Sequence, residues 1–403
     1  SIDAFGRVLS TTQLPNNITT TTEYAWDNSV TNGIYKVTTI SKATSNTPQT
    51  TQTAIGYFDR FGRSIKTTTD NFSGTTDAFV TYDAFGRVYQ TITPDASNAG
   101  ASITVTNKYY PTYQNHFRLY EIDKGILGKT QYQYNAASNG ENKIKVTAPN
   151  TESKEQTTDA TGRLKTSTDA AGSITYEYNA QGNNTKITAG NSITEMKYDL
   201  ITGEQIELKE PNCGTINYTY NGYGELIKQV DQKTFQYEME YDILGRIKKK
   251  TRKAYNAIPN TSPATAPDEV TEYDYVQTGD GKEQLQTVKV NNSIIQTYGY
   301  DLLHRQNSIT EKVDATATTT TLTTSTVYNT DNSIQSVTYP NSVTLNYYYK
   351  PNGFLEFVKN GALEIYKQTG ATKYNAPTSY ILGNGKTSNI TYNAAGGITL
   401  MST

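Results

Sequence analysis

The sequence predicts an all-β fold, a ribbon of β-hairpins, on three observations. A seven-residue phrase recurs, strict two-residue alternation precedes it, and the composition is weighted toward tyrosine and threonine. The phrase reads YDAFGRV at Tyr82 and YDILGRI at Tyr241, with a looser copy, YNAQGNN, at Tyr178. A catalytic motif normally occurs once in a domain, so repetition points to architecture. The 403 residues could hold two or three ordinary domains, yet a repeat makes the region 1–403 one continuous object.

Aligned on the acid or its replacement, the copies fall at Asp3, Asp59, Asp83, Asp159, Asn179, Asp199, Asn221, Asp242, Asp301, Asn329, Lys350 and Asn393. From Asp159 to Asp242 the steps are 20, 20, 22 and 21, so residues 159–250 hold the clearest repeats; wider gaps have room for eroded copies. Before each bend one strand shows two unlike faces: Ile216, Tyr218 and Tyr220 alternate with Asn217 and Thr219, and Tyr237, Met239 and Tyr241 repeat the arrangement. Alternation defines two faces without choosing which lies inside.

Each bend then has its own chemistry. An Asp or Asn side chain accepts a hydrogen bond from the backbone two residues on, and glycine supplies positive φ without steric cost. Val88, Leu164, Leu226 and Ile247 start the return strand. Arg7, Arg63, Arg87, Arg163 and Arg246 directly follow the glycine, where a guanidinium can stack on a neighbouring tyrosine and pair with the aspartate across the bend. The residues singled out are therefore structural turn residues: Tyr82, Asp83, Gly86 and Arg87; Asp159, Gly162 and Arg163; Tyr178, Asn179 and Gly182; Tyr220 and Gly224; Tyr241, Asp242, Gly245 and Arg246. Asn183, Glu204 and Glu225 stand in the arginine place of other copies, which argues against an anion site.

Two strands of about seven residues rising about 3.3 Å each make a ribbon roughly 25 Å wide, and about 24 to 38 strands at about 4.8 Å extend roughly 115 to 180 Å. So many strands must curl or split, and no amphipathic helical stretch is available to cover the tyrosine face. The expectation is a coil too wide for side chains to fill, hence a cavity. Polar stretches from Ala43, Thr93, Ala254 and Asp314 read as loops between hairpins. Residues 107–150 read as an irregular insertion, either a remodelled hairpin or a local binding surface.

Chemistry is scarce. Lys+Arg 36 against Asp+Glu 38 gives no basic field for nucleic acid, and the run KKKTRK from Lys248 reads as a solvated strand. Cys213 stands alone, so no disulfide framework forms, and His116 and His304 offer little for a triad or a zinc site; His304 takes the glycine place of YDLLHRQ. No nucleotide-binding loop or calcium loop is present, so no cofactor and no metal are expected, and no apolar run suffices for a membrane span. Both ends read as the middle of a repeat, which makes the chain a piece of a longer one.

The series resembles the YD repeats of the Rhs family, which includes the B and C components of ABC-type insecticidal toxins and the teneurins. That resemblance implies a ribbon coiled into a spiral, hollow shell, a partial barrel or cocoon, which in toxin members encloses a C-terminal toxic domain. It implies a noncatalytic encapsulating segment of a secreted or surface-exposed bacterial protein. Its partners would be the rest of its own polypeptide, including a toxin cargo, and delivery components. The alternative is an extracellular adhesion or carbohydrate-binding module, since exposed tyrosine rings stack on sugars. The chain has no Asp-Pro dipeptide, so no self-cleaving residues carry over from the family.

Overall fold

The computed structural model describes residues 1–14, 17–43, 49–98, 100–111, 117–137, 139–232, 235–254, 268–312 and 320–402. The fold is all β: 33 strands in an open antiparallel sheet, with a 3-10 turn at Gly125–Leu127 as the helical element among the described residues. The cause is local. Branched and aromatic side chains alternate with polar ones, and a glycine or an Asx residue ends nearly every run.

By contact density the chain divides into two units, Ser1–Thr130 with Thr324–Thr403, and Gln131–Thr323. The second unit shows the repeat most plainly. Strands Gly172–Tyr178, Asn184–Ala189, Ser192–Tyr198, Gln205–Glu210, Gly214–Tyr220, Leu226–Val230 and Phe235–Tyr241 pair each with the next. At the corners the return strand carries one extra residue. Glu177 faces Lys186 but Tyr178 faces Asn184, and Thr219 faces Lys228 but Tyr220 faces Leu226. The same slip follows Glu240 and Asp274. These β-bulges change the phase of alternation and add local right-handed twist.

In the first unit two distant stretches of ribbon meet. The corners near Asp331, Lys350 and Thr372, with Asn332, Gly353 and Asn375 at positive φ, seat on the opposite-edge turns of the strands that begin at Thr50 and end at Pro94. Thr50 Oγ1 donates to Asp331 Oδ2 at 2.8 Å, Thr51 N to Pro351 O at 2.7 Å, and Asn352 Nδ2 to Asn71 O at 2.8 Å. Phe72 N donates to Asn375 Oδ1 at 2.7 Å while Lys350 Nζ donates to Phe72 O and lies 3.7 Å from its ring centroid. Tyr374 Oη donates to Pro94 O at 2.6 Å. Asn71, Phe72, Thr50 and Thr372 are accordingly buried.

Elsewhere burial is slight. The buried apolar residues are Ala43, Ile65, Phe72, Met239, Val288, Val337 and Val358, and the accessible surface is 24300 Å². Most side chains on both faces are half-exposed, so the ladder and its cross-strand pairs, more than a core, hold the strands together.

Two stretches read as loops are partly strand. Thr50–Phe58 and Thr321–Tyr328 continue the ladder, because threonine is β-branched and its hydroxyls pair across strands, as Thr310 and Thr323 do at 2.9 Å. Residues 44–48, 255–267 and 314–319, within the other loop readings, lie outside the described residues, as does His116. Within 107–150 the described residues form the strands Leu119–Asp123, Lys129–Ala136 and Asn142–Thr147 around the 3-10 turn.

Candidate functional site

The recurrent feature with defined side-chain geometry is the corner. At Asp83 the backbone closes with Gly86 N donating to Asp83 O at 3.0 Å and Asp83 N to Arg87 O at 2.9 Å. Asp83 Oδ1 accepts from the Phe85 and Arg87 N–H groups at 2.9 Å each, and Oδ2 accepts from Arg87 Nε at 2.7 Å. Gly86 sits at φ 79. One carboxylate therefore satisfies two backbone donors and one guanidinium, the arrangement that charge-assisted hydrogen bonding favours.

The clamp reaches the next hairpin. The Arg87 guanidinium lies 4.0 Å from the ring centroid of Tyr109, and Tyr109 Oη donates to Val88 O at 2.9 Å. Arg63 covers Tyr82 at 4.3 Å, Arg163 covers Tyr178 at 5.1 Å, and Arg246 covers Tyr275 at 4.1 Å. So each arginine pairs with the aspartate of its own corner and stacks on the tyrosine of the following one. The tyrosine hydroxyl in turn reaches back to the start of the preceding return strand: Tyr82 to Ser64 O, Tyr178 to Leu164 O, Tyr220 to Gln205 O and Tyr241 to Leu226 O, all at 2.7 to 2.9 Å.

Asp159 and Asp242 repeat the carboxylate geometry with Arg163 and Arg246. Gly162, Gly182, Gly224 and Gly245 have φ between 75 and 92. Asn179 Oδ1 accepts from the Gln181 and Asn183 N–H groups. At Asn221 the polarity is inverted: Oδ1 accepts from Tyr223 N and Glu225 N, and Nδ2 donates to Glu225 Oε2 at 2.6 Å. An Asn–Glu pair thus does the work of an Asp–Arg pair without net cationic charge.

Several corners depart from the common pattern, Asp301 among the copies read from the sequence and the others not. Asp301 pairs with Arg305 although His304 replaces the glycine, at φ 60. Thr372 Oγ1 accepts from Tyr374 N and Ala376 N, reproducing the Asx pattern with a hydroxyl. Tyr109 and Tyr275 keep the hydroxyl bond where the following acid is lost; the alternation before each of them was the available signal.

The electrostatics are those of structural pairs. Burial alone would raise the Asp83 carboxyl, but the Arg87 guanidinium and the backbone N–H groups of Arg87 and Phe85 outweigh it and hold it below the ordinary range. At Asp242 the Arg246 guanidinium is the leading cause of the same depression. Within KKKTRK, Lys249 and Lys253 pair with Glu240 and Glu238, while Lys250 and Arg252 lie over the Tyr237 and Phe235 rings. The run is neutralised by its own neighbours. Among the described residues no three His, Cys, Asp or Glu side chains converge as a metal group, and no helix is long and apolar enough to cross a membrane.

Corner tips are exposed and often apolar: Phe85, Ile201, Tyr223 and Ile243 project into solvent. The corners seated within the first unit carry Asp331, Asn352 and Tyr374 at their tips, and each makes a hydrogen bond across the seam.

The family model described as RHS Repeat matches residues 159–194, the stretch with two of these corners. Residues 159–194 match the RHS repeat. The ladder as a whole is similar to chains in the structure of the Photorhabdus luminescens Tc holotoxin pore (TccC3-D651A mutation), at 10% identity, TM-score 0.70, over 92% of this chain and 21% of that one. It is likewise similar to the crystal structure of TcdB2-TccC3, at 11% identity, TM-score 0.68, over 100% of this chain and 23% of that one. The crystal structure of TcdB2-TccC3-TEV gives 12% identity and TM-score 0.71, over 94% and 22%. The chain thus spans about a fifth of the length of these solved chains and shares their fold. No curated protein matches the sequence.

Proposed function

We propose that this RHS-repeat chain is a noncatalytic wall segment of a secreted or surface-exposed bacterial protein, one that coils around and isolates a toxin cargo carried by the same polypeptide. The observation that carries the reading is the seam in the first unit. Corner edge and turn edge of the ribbon are mutually complementary, so a ribbon of this repeat can seal against itself edge to edge. A wall needs that property, and a catalytic site does not.

Two further features support it. The strands carry almost no buried core, which suits a barrier wetted on both faces, and tyrosine suits such a barrier because its ring packs while its hydroxyl stays bonded. The repeated aspartates are committed to backbone N–H groups and arginines, which leaves them poorly placed as general acids or bases. The fold is that of chains solved in Tc toxin structures, and delivery components are the further partners this reading expects.

The test is an electron-microscopy envelope of the intact protein with and without its downstream region. A hollow wall whose interior density disappears with that region supports the reading; a filled sandwich overturns it. Specific glycan-array binding abolished by Tyr223→Ala would move the assignment to a surface adhesion module.

A further inference from the structure

The corner Val276–Gln284 lacks the Asp–Arg clamp and is held from both sides by its neighbours. From the preceding corner, Arg246 Nη1 donates to Glu283 O at 2.9 Å. From the following one, His304 Nδ1 accepts the Gly281 N–H at 3.0 Å, and His304 O accepts from Gln284 Nε2 at 2.9 Å. Gly281 packs under the Tyr300 ring, so close that an added Cβ would lie 2.4 Å from it. His304 is therefore more than a tolerated replacement for glycine: it holds a backbone φ of 60 and closes a contact between two hairpins.

We propose that His304 is a proton-sensitive clasp between the 301–305 corner and the 276–284 corner. A ring nitrogen that accepts from Gly281 N–H has no proton, so the proton of the neutral imidazole is on Nε2. Adding a proton to Nδ1 sets a donor against a donor, and the clasp opens. Imidazoles as a class change charge between about pH 5 and 8. The charged groups around the clasp are paired or belong to the loop itself. Asp301 is bound to Arg305 on its own corner, Arg246 to Asp242 on the preceding one, and Lys282 lies 3.7 Å from Glu283 on the loop, with Asp280 beside them in sequence.

Hydrogen exchange of peptides covering 276–284, in the full 403-residue chain at pH 7.5 and 5.0 with correction for intrinsic rates, tests this. The wild type is expected to lose protection at pH 5.0 by roughly two- to ten-fold, the range one hydrogen bond supports. His304→Asn, which tolerates positive φ and accepts through an oxygen that does not titrate, is expected to stay protected at both values. His304→Gly, the residue most other corners carry, is expected to be unprotected at both. Equal protection of the wild-type loop at the two pH values, or the same loss in His304→Asn or His304→Gly as in the wild type, overturns the clasp.

Discussion

A typical corner concentrates its constraint in two residues, the one with positive φ and the Asx residue three places before it. Gly182 stands at φ 92 with no atom within 4 Å of where a Cβ would be, so Gly182→Ala meets backbone strain alone. A left-handed conformation costs an L-residue about 1–2 kcal/mol. Gly222 has equal space without positive φ. Gly182→Ala is expected to lower the melting temperature while Gly222→Ala leaves it nearly unchanged, as read by differential scanning fluorimetry. At Asp242 the clamp predicts a reversal. Arg246→Glu alone places two anions across one corner and destabilises it, and Asp242→Asn added to it recovers part of the loss by rebuilding the Asn221–Glu225 pair, the Tyr275 stacking and the Glu283 O bond of Arg246 staying lost. Failure of the double variant to recover melting temperature would refute the equivalence of the two pairs. The pH dependence has a definite sign. The Asp59, Asp83, Asp159, Asp242 and Asp301 carboxyls are held below their ordinary range, so they bind fewer protons folded than unfolded. Their stabilisation is present above about pH 4, the unfolded aspartate value, and is lost as pH falls through the depressed native values. Melting temperature should therefore fall steeply below about pH 4, and less steeply in Asp242→Asn.

Between hairpins the tyrosine hydroxyl is the recurrent tie. Among the described residues such bonds join a tyrosine to the preceding return strand at residues 82, 109, 178, 198, 220, 241, 275, 300, 349 and 392. Burial raises the Tyr241 hydroxyl above its ordinary range, which keeps it a donor at neutral pH. Tyr241→Phe preserves the ring and its contacts but leaves Leu226 O without this donor. The expected cost is about 0.5–1.5 kcal/mol, and faster hydrogen exchange in Leu226–Val230 and Phe235–Tyr241 should accompany it. A Tyr241→Phe chain with unchanged exchange there would show the hydroxyl bond to be dispensable.

For the molecule as a whole, stability depends on edges as much as on faces. Phe72, 5% exposed, lies under Lys350 at the seam of the first unit. Phe72→Ala removes a buried ring at a junction that is otherwise mostly hydrogen bonds, at a cost on the order of 3 kcal/mol. Limited proteolysis should then cleave within Thr324–Thr403 earlier than in the wild type, while Gln131–Thr323 keeps its resistance. Equal cleavage of the two units would show that the seam does not hold the segment.

What could be read directly was whatever depends on near neighbours. The phrase around Tyr241 specifies a bend because Asp242, Gly245 and Arg246 satisfy one another within five residues, and alternation before it specifies a strand. The all-β character followed from repeating that local unit. Tertiary structure decided the rest. The corner bulges, which shift the phase between Thr219 and Tyr220, depend on how two strands twist together and leave no mark in composition. The stacking of Arg87 on Tyr109 depends on which hairpin lies beside which. Thr50 and Asp331 are 281 positions apart, and only the fold of the first unit brings them into contact. Local preference fixes φ and side-chain alternation, whereas a pairing between residues so far apart in sequence depends on how many strands pack together, which no single repeat encodes.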